Sequence, residues 1–131
     1  MSTALVWFRR DLRLADNAAL TAALESSDKV ICAYVHAPEE EAPWQPGAAS
    51  LWWLHHSLTA LDEALRERGS RLLIVADESL QVIKALIDEH GIDSVHWNRL
   101  YDPAIIKRDK QIKKALGDQG VTVESHNGAL F

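Results

Sequence analysis

The chain has 131 residues, of which 47% are hydrophobic and 25% are charged, as in ordinary globular proteins. This length predicts one domain, and no apolar run approaches the roughly 20 residues that cross a membrane. The formal net charge of −5 argues against a domain that holds DNA by itself, because contacts to phosphate need a basic surface. The amino-terminal residues lack the pattern of a signal peptide, and the lone Cys32 fits a reducing, cytoplasmic compartment.

The first predicted element is a buried strand that ends in a charged corner. Residues 4–8 are apolar, too few for a buried helix and rich in β-favouring side chains. Arg9, Arg10, Asp11 and Arg13 follow within five positions. The loops after parallel strands line the ligand crevice of an α/β sheet, so this corner is a candidate binding site. An ion-pair clamp that fixes the loop is the structural alternative.

Helices and strands alternate through the rest of the chain. The predicted elements are a helix capped by Asp16 or Asn17 and running to about residue 26, strand 29–36, a loop over 37–49, helix 50–68, strand 71–76, a helix containing Leu80, Ile83 and Ile87, strand 94–98, a helix opened by Asp102 and Pro103, and strand 121–125. Gly69, Gly91 and Gly120 each end a helix before a strand. This alternation predicts an α/β fold, with a parallel sheet and helices on both faces.

The usual patterns of phosphate, metal and catalytic sites are missing from the sequence. No glycine-rich phosphate loop and no serine-histidine-aspartate elbow occurs. The six histidines lack the spacing of metal ligands, and His55 and His56 are adjacent on a predicted helix, so they point to different sides. We therefore predict neither a metal site nor a self-contained catalytic centre.

Five tryptophans are many for a chain of this length. Trp7 and Trp97 lie in predicted strands and are expected in the core. Trp52 and Trp53 are neighbours on the longest helix, and we expect one of them to flank its stripe of leucines. Trp44 lies in the proline-containing loop, where it packs onto the domain, stacks on a planar ligand or docks to another domain.

Two charged segments have both a structural and a functional interpretation. The run Glu39-Glu40-Glu41 is a solvated loop face, or one of these glutamates accepts hydrogen bonds from the NH groups of a bound ligand. The basic residues within 107–114 form a solvated helix face, or they contact a partner domain or nucleic acid.

Several motifs resemble those of the DNA photolyase/cryptochrome family, in the same order and along essentially the whole chain. The stretch Trp7–Arg13, followed by Asp16 and Asn17, resembles the amino-terminal signature of the family. Other motifs resemble the branch of class III bacterial photolyases and plant cryptochromes: Ala37–Glu41, Pro46-Gly47, Trp52–Leu54 with Ser57-Leu58, Leu100–Pro103 with Arg108-Asp109, and His126–Leu130.

The resemblance implies a Rossmann-like domain over residues 1–131, with a five-stranded parallel sheet in the order 3-2-1-4-5. Family members carry this domain ahead of a larger helical domain, which binds FAD and accepts the flipped-out pyrimidine dimer. We expect that helical partner to lie outside these residues, so that DNA is contacted through it and this chain alone does not repair DNA.

In this family the α/β domain carries a light-harvesting antenna, commonly methenyltetrahydrofolate and in some branches a deazaflavin or flavin. The expected strand order puts the crevice between strands one and four. The resemblance and the strand ends together indicate the following contact residues: Phe8, Arg9, Arg10, Asp11, Ala37, Glu39, Glu40, Trp44 and Tyr101. Many relatives carry arginines where residues 48–51 read Ala-Ala-Ser-Leu, which argues against an antenna with a phosphate-bearing tail.

Three functions remain open on the sequence. The first is the antenna domain of a photolyase, a lyase that uses light to repair pyrimidine dimers. The second is the same domain of a cryptochrome, a blue-light photoreceptor. The third is a stand-alone nucleotide-binding module, against which the missing glycine-rich loop counts.

Overall fold

The computed structural model describes residues 2–8, 17–35, 48–67, 70–99 and 103–126, which form five strands and four helices. In chain order the elements are β1 Thr3–Phe8, α1 Ala18–Ser26, β2 Lys29–Val35, α2 Ala48–Glu67, β3 Leu72–Val75, α3 Ser79–His90, β4 Ser94–Asn98, α4 Pro103–Asp118 and β5 Thr122–His126. The predicted alternation of strands and helices is confirmed, with boundaries that differ by one or two residues.

All five strands are parallel and lie in the order β3-β2-β1-β4-β5, as expected. β1 is the central strand and pairs with β2 over its whole length, from Thr3 opposite Lys29 to Phe8 opposite Tyr34. On its other side it pairs with β4, where Val6 lies opposite His96. We call the side of the sheet at which the strands end the carboxyl edge, and the opposite side the amino edge.

Side chains of β1 alternate between two apolar clusters, one on each face of the sheet. Leu5 and Trp7 pack with residues of α3 and α4, whereas Val6 and Phe8 pack with residues of α1 and α2. Every residue of β1 is buried, which is why its sequence after Thr3 is continuously apolar rather than alternating. Trp7 and Trp97 lie in the core as expected.

The long helix α2 buries the predicted leucine stripe, with Leu58, Leu61 and Leu65 in the core. Neither tryptophan of this helix flanks the stripe, and that expectation is wrong: Trp52 and Trp53 are 61% and 68% exposed. At 3.6 residues per turn, both positions lie more than about 100° around the helix from the middle of the stripe.

Glycine and proline mark helix ends where the sequence predicts them. Gly91 follows α3 with φ 65°, a left-handed conformation that glycine adopts without strain, and its N–H donates to the carbonyl oxygen of Ile87. Gly120 after α4 has φ 83°. Pro103 is the first residue of α4, where its missing N–H costs nothing. Gly69 lies outside the described residues.

Candidate functional site

The sheet has a topological switch point between β1 and β4. The chain leaves β1 toward β2 and β3 on one side, and it crosses back to β4 on the other. In open α/β sheets, connections that diverge in this way leave a crevice outside the carboxyl ends of the two strands. Phe8 and Asn98 are the last residues of these strands, so the predicted crevice lies beside them.

Two buried asparagines fix the amino end of α1 against the end of β4. Asn17 is the N-cap, and its Oδ1 accepts a hydrogen bond from the N–H of Leu20 at 3.0 Å. The same oxygen accepts from Nδ2 of Asn98 at 2.8 Å, while Oδ1 of Asn98 accepts from the N–H of Ala19 at 3.0 Å. The sequence predicted Asn17 only as a cap, because its partner Asn98 is remote in the chain.

The predicted contact residues fall in two groups. Phe8 is described; its ring is fully buried in the cluster under α1 and α2, so it can serve only as the floor of a crevice. The other eight lie outside the described residues and stay a prediction: Arg9, Arg10, Asp11, Ala37, Glu39, Glu40, Trp44 and Tyr101.

An aromatic and cationic stack lies on the other face of the same two strands. The rings of Trp7 and Trp97 meet edge to face, with centroids 5.2 Å apart. The guanidinium carbon of Arg108 lies 5.1 Å from the centroid of the Trp7 ring, within the range of a cation–π contact. Arg108 also pairs with Asp109 at 3.3 Å. The interpretation of Arg108 as part of a solvated helix face is therefore wrong, because the helix turns it toward Trp7.

A pocket of about 330 Å³ opens beside this stack, between α4 and the carboxyl ends of β4 and β5. Trp97 and Ile106 supply apolar lining. The charged lining consists of three cations, Arg99, Lys110 and Lys113, and one carboxylate, Asp109. Nε of Arg99 donates to Oγ of Ser125 at 3.1 Å, which holds the guanidinium at the end of β5. Such a lining suits a ligand with a flat apolar part and a negatively charged part.

Cys32 is a core residue in the middle of β2, away from the carboxyl edge of the sheet. Its thiol is buried on β2 in the cluster under α1 and α2, and burial raises its pKa to about 11. The thiol is therefore protonated at neutral pH and unreactive. Among the described helices, none has the length and apolar character needed to cross a membrane.

Comparison with known proteins gives a consistent match. The family model for DNA photolyase matches residues 4–131. A bacterial class III photolyase from Agrobacterium tumefaciens is 44% identical and superposes with a TM-score of 0.90, over 97% of this chain and 26% of that one. Cryptochrome-1 of Arabidopsis thaliana is 41% identical over 97% of this chain and 19% of its own length.

A third relative is an archaeal photolyase from Sulfolobus tokodaii, whose structure contains two FAD molecules and is said to imply a novel light-harvesting cofactor. It is 30% identical and has a TM-score of 0.86, over 95% of this chain and 29% of that one. The chain thus spans less than a third of the length of each of these relatives. It belongs to the DNA photolyase family, and it is similar both to a class III photolyase and to a plant cryptochrome.

Proposed function

We propose that this chain is the chromophore-binding antenna domain of a photolyase that repairs pyrimidine dimers in DNA with light. The observation that carries the proposal is the switch point between β1 and β4, because the family's signature residues Arg9, Arg10 and Asp11 directly follow β1. A domain of this kind needs only to hold a flat dye in a fixed place and to exclude water. It needs no catalytic group of its own.

Methenyltetrahydrofolate is the chromophore we propose first. Its amino-pyrimidine edge is a row of hydrogen-bond donors, which suits the carboxylate of Glu39 or Glu40, and Trp44 is suited to stack on the pterin ring. Its glutamate tail is negatively charged, which suits the cations Arg99 and Lys110 between α4 and the carboxyl ends of β4 and β5. A flavin or deazaflavin is the second choice, and the flavin is supported by the Sulfolobus relative with two FAD molecules.

We further propose that FAD and the damaged DNA are bound by a helical domain elsewhere in the full-length protein. The class III photolyase is about four times as long as this chain and Cryptochrome-1 about five times, which leaves room for such a domain. The net charge of −5 supports DNA contact through that partner rather than through these residues. Trp52 and Trp53, both exposed on α2, are candidates for contact with the partner domain.

Titration with methenyltetrahydrofolate tests the antenna proposal. Binding should shift the near-ultraviolet absorption of the dye, and both Glu39→Ala and Trp44→Ala should weaken the affinity. Glu89→Ala is the matched control, because Glu89 is exposed near the end of α3, at the amino edge of the sheet. Equal affinity in all four proteins would refute the proposed site. If the near-ultraviolet absorption does not shift at all, methenyltetrahydrofolate is not the chromophore of this domain.

A cryptochrome photoreceptor is the second candidate function. The specific observation in its favour is that Cryptochrome-1 is almost as similar, at 41% identity, as the class III photolyase at 44%. Repair of thymine dimers by the full-length protein under blue light would support the photolyase. A full-length protein that binds both chromophores but leaves dimers intact would support the receptor.

A further inference from the structure

Three side chains with metal-binding atoms meet on the last two strands of the sheet. Within the described residues, His96 of β4 lies opposite Glu124 of β5 in the register, and His126 follows two residues later on the same face. Nδ1 of His96 lies 3.2 Å from Nε2 of His126 and 3.4 Å from a carboxylate oxygen of Glu124. One ligand atom from each of the three residues falls within 4.8 Å of the others.

His96 is held in place as a ligand by its neighbours. Its side chain is fully buried on β4. Its Nε2 lies 3.3 Å from Oγ of Ser94. When Nε2–H donates to that hydroxyl, Nδ1 keeps its lone pair and faces the other two residues. Metal-binding histidines are generally oriented by a partner of this kind on the second nitrogen.

We propose that His96, Glu124 and His126 bind one divalent transition-metal ion of the Zn²⁺ class. Ligand atoms about 2.0–2.1 Å from a tetrahedral zinc ion are about 3.3 Å from one another. The two distances from Nδ1 of His96, 3.2 and 3.4 Å, fit those edges without movement of the strands. The imidazole rings of His96 and His126 are nearly parallel, at 14°. Metal binding therefore requires the ring of His126 to rotate until its nitrogen points at the ion.

The chemistry of the three ligands selects the ion. Two imidazoles and one carboxylate suit Zn²⁺, Ni²⁺ or Cu²⁺, whereas Mg²⁺ and Ca²⁺ prefer oxygen ligands alone. Glu124 is 51% exposed, so an ion reaches the site from solvent and keeps a fourth position for water. A bound ion joins the edge strand β5 to β4. The spacing of these residues along the sequence does not reveal the site, because its ligands come together only through the register of two strands.

Zinc binding to the 131-residue chain tests the proposal. The chain is purified without a histidine tag and stripped of metal with a chelator. Titration calorimetry with zinc chloride should give one site. Loss of a group that merely orients a ligand weakens metal binding by about 10–100-fold, so His126→Gln should weaken it by at least about 100-fold. Glu124→Gln should also weaken binding. His90→Gln is the control, because His90 lies at the end of α3, at the amino edge.

A second measurement separates ligation from damage to the fold. Zinc added to the unaltered chain should shift the imidazole nitrogen resonances of His96 and His126 and leave those of His90 unchanged. Circular dichroism of the variants should match that of the unaltered chain. Equal zinc affinity in the unaltered chain and His126→Gln, or unshifted resonances of His96 and His126, would overturn the proposal. The cluster would then be a hydrogen-bonded histidine pair without a metal.

Discussion

The pair of buried asparagines gives the sharpest prediction of how the carboxyl edge is built. Oδ1 of Asn17 serves two donors, the N–H of Leu20 within α1 and the amide of Asn98 at the end of β4. Asn17 and Asn98 are only 1% and 4% exposed, so water does not readily replace a lost partner. Asn17→Ala therefore removes a helix cap and also removes one hydrogen bond to a buried amide.

The expected loss of stability follows from these two effects. Replacing an N-cap by alanine costs about 1 kcal/mol, and removing a hydrogen-bond partner from a buried polar group costs about 1–3 kcal/mol. Asn17→Ala should therefore lower the free energy of unfolding by about 2–4 kcal/mol. Asn17→Asp is the matched control, because aspartate keeps the acceptor oxygen and its charge is favourable at a helix amino end. It should lose less than half as much.

Urea unfolding followed by circular dichroism measures both losses. With a slope of free energy against urea of about 2 kcal/mol per molar, the middle of the range for small domains, the midpoint for Asn17→Ala should fall by about 1–2 M with an unchanged slope. A loss below about 0.5 kcal/mol, the size typical of a surface substitution, would refute the role given to Asn17. So would an aspartate variant that is as unstable as the alanine variant.

Two further predictions concern the acid stability and the core. The N–H of Leu72 donates to Asp62, and together with an ion pair one turn along α2 it holds the pKa of that carboxyl below its ordinary 3.8. This stabilisation is present at neutral pH and is lost as the pH falls through the lowered pKa. Asp62→Asn should therefore lose less stability than the unaltered chain between neutral pH and pH values below 3.8, and an equal loss would contradict this. Ile83 is fully buried, so Ile83→Ala should cost about 2–5 kcal/mol in the same urea assay. Leu24→Ala, at an exposed position, should cost less than about 0.5 kcal/mol, and similar losses in both variants would contradict the packing.

Much of the fold is readable from the sequence because local signals agree with one another. Gly91 and Pro103 mark helix ends by their backbone preferences, and the leucines of α2 mark its buried side. The strand order was expected only with help from the family resemblance, because pattern alone does not say which strands are neighbours. Leu20 and Leu24 illustrate the limit within one helix. They lie one turn apart, yet Leu20 is buried and Leu24 is exposed.

The candidate sites were harder to predict, because their residues meet only in three dimensions. Asn17 and Asn98 are 81 positions apart, and neither signals the other in the sequence. His96 and His126 are 30 positions apart and become neighbours through the pairing of β4 with β5. Arg108 looked like one of several solvent-facing cations until the helix placed it over Trp7. Charge and spacing identify residues that share one element, but not residues that share a site.

Amide NMR shifts during titration with methenyltetrahydrofolate map most directly where the chromophore binds. Binding in the crevice between β1 and β4 should give the largest shifts at the carboxyl edge, at Phe8, Asn98 and Arg99, which end or follow these two strands. Amides at the amino edge, such as Thr3 and Ser94, should remain unchanged in the same spectra. Shifts concentrated at the amino edge, or spread evenly over the sheet, would contradict binding in this crevice.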